Sequence, residues 1–207
     1  MPTDFIKRAT GYLGDARSLI ERIPVETLEG IFRILCEAYR HDRQVIVMGN
    51  GGSAALASHF AVDLGKGTTA AGRRRFRVLS IVDNTPVMTA YANDFSYAEV
   101  FSEQIRALVA PHDVVFGISG SGNSPNVLNG LTAAREMGAA TVVLTGYKGG
   151  RAVDLADLTL VVPSDDMQHI EDCHLMLMHL FMQAMSEHVR ESPPISAADG
   201  KSRNPLS

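Results

Sequence analysis

Two short segments of this chain concentrate small polar residues: Gly49-Asn50-Gly51-Gly52-Ser53 and Ser119-Gly120-Ser121-Gly122-Asn123-Ser124. The second carries three hydroxyls and runs into Pro125, a residue favoured at the first position of a helix. Hydroxyls and free backbone N–H groups ahead of a helix N-terminus, with its partial positive charge, suit a phosphate. A plain capped turn needs one serine, so the cluster favours phosphate binding. The first loop, with Ala54, formally satisfies G-x-G-x-x-A, a dinucleotide fingerprint. Two helical stretches precede it, however, and no acidic residue closes the next strand at the ~20-residue distance such a site requires. The G-x-x-x-x-G-K-[ST] loop of nucleotide triphosphatases is absent from the sequence.

The titratable groups fall in two places. His59 and Asp63 stand at i and i+4 just after the first loop, so they share a helix face, and an N,O pair at that spacing suits a divalent metal or a simple surface pair. Near the C-terminus, Gln168, His169, Glu171, Asp172, His174 and His179 lie in a helical stretch otherwise rich in Leu and Met. The stripe Met176, Met178, Met182 and Met185 reads as core or subunit interface. His179 within it is either a hydrogen-bonded core histidine or a functional group, because an imidazole buried without a partner is costly.

The elements that position these residues follow from hydrophobic periodicity. Apolar residues at three- and four-residue spacing predict helices over Thr3–Ile23 and Val25–Arg40, separated by Pro24. Short β-branched runs predict strands at Gln44–Met48, Arg77–Ile81, Asp113–Ile118, Thr141–Thr145 and Leu158–Val162. Helices are expected over Ala54–Leu64, Pro125–Met137 and from about Asp166 to Val189. Strands that are continuous apolar runs are buried on both faces, which predicts an α/β fold: a doubly wound five-stranded parallel sheet flanked by helices. The N-terminal helices and the long C-terminal helix are additions to that alternation. A single domain over residues 1–191 is expected, with a polar, proline-containing tail over 192–207 expected to be disordered.

Composition narrows the classes. The formal net charge of −4, from 19 Lys+Arg against 23 Asp+Glu, argues against a nucleic-acid partner. No stretch approaches the ~20 apolar residues of a membrane span, and the N-terminus lacks the apolar core of a signal peptide. Cys36 and Cys173 are too few for a disulfide framework, which places the expectation in a reducing cytoplasm.

The ordered set GNGGSAALASHF with DL, LSIVDN, YANDFSY, FSEQI, GISGSGNSPNVL and HIEDCHLMLMHL resembles the sugar isomerase (SIS) domain family, most closely its sedoheptulose 7-phosphate isomerase (phosphoheptose isomerase) subfamily. The resemblance covers roughly residues 5 to 190. It implies a homotetramer with active sites at subunit interfaces and a phosphorylated sugar as substrate. Carried over motif by motif, Asn50, Gly51, Gly52, Ser53, Asn93 and Asp94 contact the sugar or line its pocket, and Ser119, Gly120, Ser121 and Ser124 hold the phosphate. The subfamily's metal and acid–base set falls on His59, Asp63, Glu171 and His179. Asp63 replaces the subfamily's Glu and Glu171 its Gln, which makes the metal site more acidic. Gly120 replaces a threonine and removes one hydroxyl. Four N and O donors suit zinc, with other first-row ions admitted.

The implied reaction is aldose–ketose isomerisation, sedoheptulose 7-phosphate to glycero-manno-heptose 7-phosphate, through an enediol. It needs a base, an acid and a stabiliser of the developing oxyanion. Asp63 or Glu171 is expected as base, His179 as acid and the divalent ion as Lewis acid. Isomerisation of another phosphosugar, and a non-catalytic role as phosphosugar sensor or partner of a replication initiator, are the rival readings. One geometrical expectation is sharp. Glu171 and His179 lie ~12 Å apart along a straight helix and about 80° apart around it. One helix supplies both to one metal only if its first turn is irregular. Otherwise a neighbouring chain brings one of them, or Glu171 pairs with His174 and His179 belongs to the core.

Overall fold

The structure is a computed structural model, and it describes residues 2–194 of the chain. The tail expected to be disordered lies, beyond Pro194, outside the described residues. Two helices, α1 (Pro2–Ile20) and α2 (Val25–Arg40), lead into the alternation β1 (Val45–Gly49), α3 (Gly52–Val62), β2 (Val78–Ser80), α4 (Thr85–Asp94), α5 (Ser102–Leu108), β3 (Val114–Ile118), α6 (Pro125–Glu136), β4 (Ala140–Thr145), β5 (Leu158–Val161) and α7 (Met167–Glu191). The strands pair in parallel in the order β2-β1-β3-β4-β5. This is the doubly wound sheet predicted from the apolar runs, with five of five strands in place.

The strand period of two sorts the core into two layers. Val45 and Val47 of β1, Val114, Phe116 and Ile118 of β3, and Val142 and Leu144 of β4 face α1, α2, α3 and α7. Their neighbours Ile46, Met48, Val115 and Val143 face α5 and α6, where Ile105, Val127 and Leu131 are fully buried. Each such side chain contributes roughly 1.5–3 kcal/mol relative to exposure. α7 buries Ile170, Leu177, Met178, Phe181 and Met185 on the first layer, so half of the methionine stripe is core. Met176 and Met182 remain half-buried.

Parallel strands put every β-to-α loop at one edge of the sheet, and that edge carries both glycine–serine segments. α7 starts at the same edge. Asp166 caps it, its carboxylate accepting the His169 backbone N–H at 3.1 Å. Tyr12 fastens α1 to this first turn: its hydroxyl donates to Asp172, and its ring packs on His169 with centroids 4.1 Å apart. Two features were not anticipated. α4 and α5 occupy the stretch between β2 and β3, and α3 ends in a π-helical turn over Asp63–Gly67. Single π turns recur at functional sites, and this one begins at Asp63.

Candidate active site

The serine segment joins β3 to α6. Ser124 stands at the N-cap position yet makes no side-chain cap hydrogen bond; its hydroxyl lies 3.3 Å from that of the buried Ser119. A capping serine satisfies an orphan helix N–H, so a serine that leaves it open turns its hydroxyl to something else. The Asn123 N–H donates to Ser121 Oγ at 3.2 Å, and Asn123 Oδ1 accepts the Arg151 N–H at 3.1 Å, which fixes the segment to the turn after β4. Asn50, Ser53, Ser119, Gly120, Ser121, Ser124, Met167 and Glu171 line a cavity of about 180 Å³. Its wall comes from the first loop, the serine loop and the first turn of α7.

Larger concavities exist, including one of about 460 Å³ by Tyr39, Arg40, Arg74 and His188 near the far end of α7. The convergence of three hydroxyls and a carboxylate at a helix start outweighs that difference in size.

Glu171 reaches this cavity because residue 52 is glycine: a Cβ there would stand 2.8 Å from Glu171 Oε1. Gly120 is locked in a similar way, its hypothetical Cβ falling 2.4 Å from Met167 Sδ. Methionine therefore fills the space beside the position where the resembled subfamily carries a threonine. Asn50, expected to contact sugar, spends its amide within the protein: it exchanges two 2.8 Å hydrogen bonds with Asn126 and accepts the Tyr97 hydroxyl at 2.9 Å. Asn93 and Asp94, also expected at the sugar, lie exposed at the end of α4, where Asn93 Nδ2 donates to Asp94 Oδ1 at 2.9 Å. They are not among the residues lining the cavity. Gly51 is the N-cap of α3 at the exposed tip of the first loop.

The metal-ligand set divides. His59, Asp63 and His179 come together, with donor atoms all within 4.8 Å of one another. His59 Nε2 and His179 Nε2 are 3.0 Å apart, and Asp63 Oδ2 lies 3.4 Å from the first and 3.8 Å from the second. That oxygen is buried and has no hydrogen-bond donor among the described residues. Two imidazole nitrogens facing each other beside an orphaned carboxylate oxygen fit a divalent cation: it would take both lone pairs and compensate the buried charge. The donor set N,N,O is one of those that catalytic zinc sites use with a position left open. Glu171 is outside this group. α7 is a continuous helix, so its two-turn separation from His179 stands. His174 is also buried elsewhere, with Nε2–H donating to the Thr145 carbonyl at 3.2 Å.

Sequence reasoning did not single out Asn126, Tyr97 or Met167. Asn126 offered only its place directly after the helix-opening Pro125; its near-complete burial is visible in the structure alone.

The SIS domain family model matches residues 11–146. The phosphoheptose isomerase of Aliarcobacter butzleri is 36% identical over 189 residues, which is 91% of this chain and 99% of the relative. That of Aquifex aeolicus is 39% identical over 76% of this chain and 82% of its own length. Among solved structures, the phosphoheptose isomerase from Neisseria gonorrhoeae superposes with a TM-score of 0.82 at 30% identity, covering 88% of this chain and 99% of that one. A second, from Francisella tularensis, superposes at 0.83 with 23% identity over 90% of this chain and 99% of its own, and it supports the fold.

Proposed function

The chain belongs to the SIS domain family, and we propose that it is a phosphosugar aldose–ketose isomerase whose substrate is sedoheptulose 7-phosphate. The observation that carries this reading is the small cavity lined by Ser119, Ser121 and Ser124 together with Glu171. A phosphate held at Ser119, Ser121 and Ser124 fixes one end of a sugar chain, and the Glu171 carboxylate then stands where a proton moves between adjacent carbons. Holding the substrate in one orientation is itself a large part of such catalysis. The close relation to proteins named phosphoheptose isomerase supports the seven-carbon sugar.

His59, Asp63 and His179 would hold a divalent ion, zinc first, that supplies Lewis-acid stabilisation of oxyanion charge. In this reading Asp63 is a ligand, and Glu171 takes the role of base.

The site is shared between subunits of a homotetramer. Glu171 lines the serine cavity of its own chain, two turns of α7 away from its own His179. The His59–Asp63–His179 group of a neighbouring copy then completes the cavity. The exposed apolar side chains beside that group, Val62 at 62% and Leu180 at 45%, support a contact there. Among the described residues no helix is long and apolar enough to cross a membrane. A cytoplasmic location is part of this proposal and rests on the phosphosugar substrate.

The test is a panel of phosphosugars assayed with and without added divalent metal, with products identified by NMR. Conversion of sedoheptulose 7-phosphate to the aldoheptose 7-phosphate is expected. Turnover of a different phosphosugar in its place would reassign the substrate, and phosphosugar binding without turnover would make the protein a sensor.

A further inference from the structure

α7 is rich in leucine and methionine, yet one fully buried position on it holds His174. The ring is only half satisfied: Nε2–H donates to the Thr145 carbonyl, while Nδ1 is buried and has no hydrogen-bond partner among the described residues. An apolar residue would fill the same space without stranding a nitrogen, so the single hydrogen bond must matter for something other than packing.

Thr145 is the last residue of β4, and its surroundings show what that is. Its carbonyl already accepts the Val162 N–H at 2.8 Å. Its hydroxyl donates to the Gly120 carbonyl at 3.3 Å, and the next N–H, of Gly146, donates to the same carbonyl at 2.9 Å. Thr145 and Gly146 are thus the bracket on which the serine loop hangs. His174 is the side chain by which α7 grips that bracket, one turn after Glu171.

We propose that His174 is a positioning residue: through the Thr145 carbonyl it sets the distance between the phosphate-holding serine loop and the Glu171 carboxylate on α7. The inference rests on the phosphosugar reading of the serine cavity. In that reading the phosphate is fixed at one end and the reacting carbons at the other, so a shift of about 1 Å between loop and helix costs on the order of 100-fold in rate.

The experiment compares His174→Leu, His174→Gln and His174→Asn in the full-length protein. A glutamine amide can reach the place of Nε2, whereas an asparagine amide stops near Nδ1. Two readouts are taken: kcat and KM on sedoheptulose 7-phosphate, and hydrogen exchange of the Gly122 and Gly146 amides without any ligand. Leu and Asn are expected to lower kcat/KM by 10- to 100-fold, with most of the loss in kcat, and to speed exchange at both amides at least tenfold. Gln is expected to restore both to within a few-fold of the natural protein. Unchanged kcat and exchange in a folded Leu variant would overturn the proposal, and so would equal losses in Gln and Asn. The Gln–Asn comparison decides the matter even if Leu does not fold. Exchange is read without sugar, so a natural protein with no isomerase activity would refute the functional reading, while exchange alone would still decide whether His174 positions the loop.

Discussion

Asn50 and Asn126 exchange two amide hydrogen bonds of 2.8 Å, tying the first glycine loop to the start of the helix that follows the serine loop. Asn126 also accepts the Val127 N–H through its side-chain oxygen at 3.0 Å, and it is nearly completely buried. The two loops are therefore tied to each other by a reciprocal pair of hydrogen bonds.

Asn126→Ala should break that unit. It takes the acceptor from the Asn50 amide nitrogen in a partly buried setting and should destabilise the protein by about 1–3 kcal/mol. Urea unfolding measures it. A double-mutant cycle with Asn50→Ala should show a coupling of roughly 0.5–3 kcal/mol, because neither residue retains the pair alone.

Ser124→Ala separates binding from capping. An N-cap serine usually contributes ~1 kcal/mol, but this hydroxyl makes no cap hydrogen bond. The variant should keep its melting temperature within a couple of degrees while losing phosphosugar affinity about tenfold. Ser119→Ala with Ser121→Ala should weaken binding further with the fold intact. Calorimetric titration with a phosphosugar, alongside thermal melts, checks both expectations, and unchanged affinity in the double variant would refute phosphate binding here.

The sheet was legible in the sequence because each strand is buried on both faces and reads as an unbroken β-branched run; Val45–Gly49 and Val114–Ile118 are buried at every position. α4 was less legible because it fully buries no residue, and its half-buried stripe of Met88, Tyr91 and Ala92 spans little more than one turn. The serine loop and the His59–Asp63 pair were visible locally, since hydroxyls ahead of a helix and an i, i+4 pair need no tertiary information. Where α7 meets them was not. The placement of Glu171 against Gly52, and of His179 against His59, depends on how one long helix lies across two loops far away in sequence.

Metal content tests the histidine–aspartate group directly. Gently purified protein should carry about one divalent ion per chain, and Asp63→Ala should lose it. Elemental analysis gives the stoichiometry. Occupancy should fall as the solution is acidified, because protons compete with the ion for the imidazole nitrogens. Chelation should lower the melting temperature of the natural protein and leave Asp63→Ala unmoved; an ion bound at 100 times its Kd adds about 2.7 kcal/mol.

His174 makes stability depend on pH in a stated direction. Burial pushes its pKa down to about 4, with the Thr145 hydrogen bond opposing weakly. In the unfolded chain it titrates near its ordinary value of 6.5. Between those values the unfolded state holds more protons, so stability is fully present above pH 6.5 and is lost as pH falls through 4. The loss reaches about 3 kcal/mol by linkage. Urea unfolding at pH 5 and pH 7 should show the slope, and His174→Leu should remove this part of it.

The proposed sharing of the site between chains makes the most demanding prediction. Glu171 lines the serine cavity, and His179 stands two turns further along the same continuous helix in a different cluster. If one chain's cavity is completed by its neighbour's His59, Asp63 and His179, then Glu171→Ala and His179→Ala each inactivate by damaging opposite halves of every site. Unfolding the two variants together and refolding the mixture creates interfaces between unlike chains. At each such interface one site receives both lesions and the other receives none. Statistical mixing in a symmetric assembly should therefore restore about a quarter of the natural activity. Mixed oligomers can be verified by mass spectrometry before the assay. If they form and activity stays at the level of the separate variants, each site draws both residues from one chain, and the helix must deform on binding to bring them together.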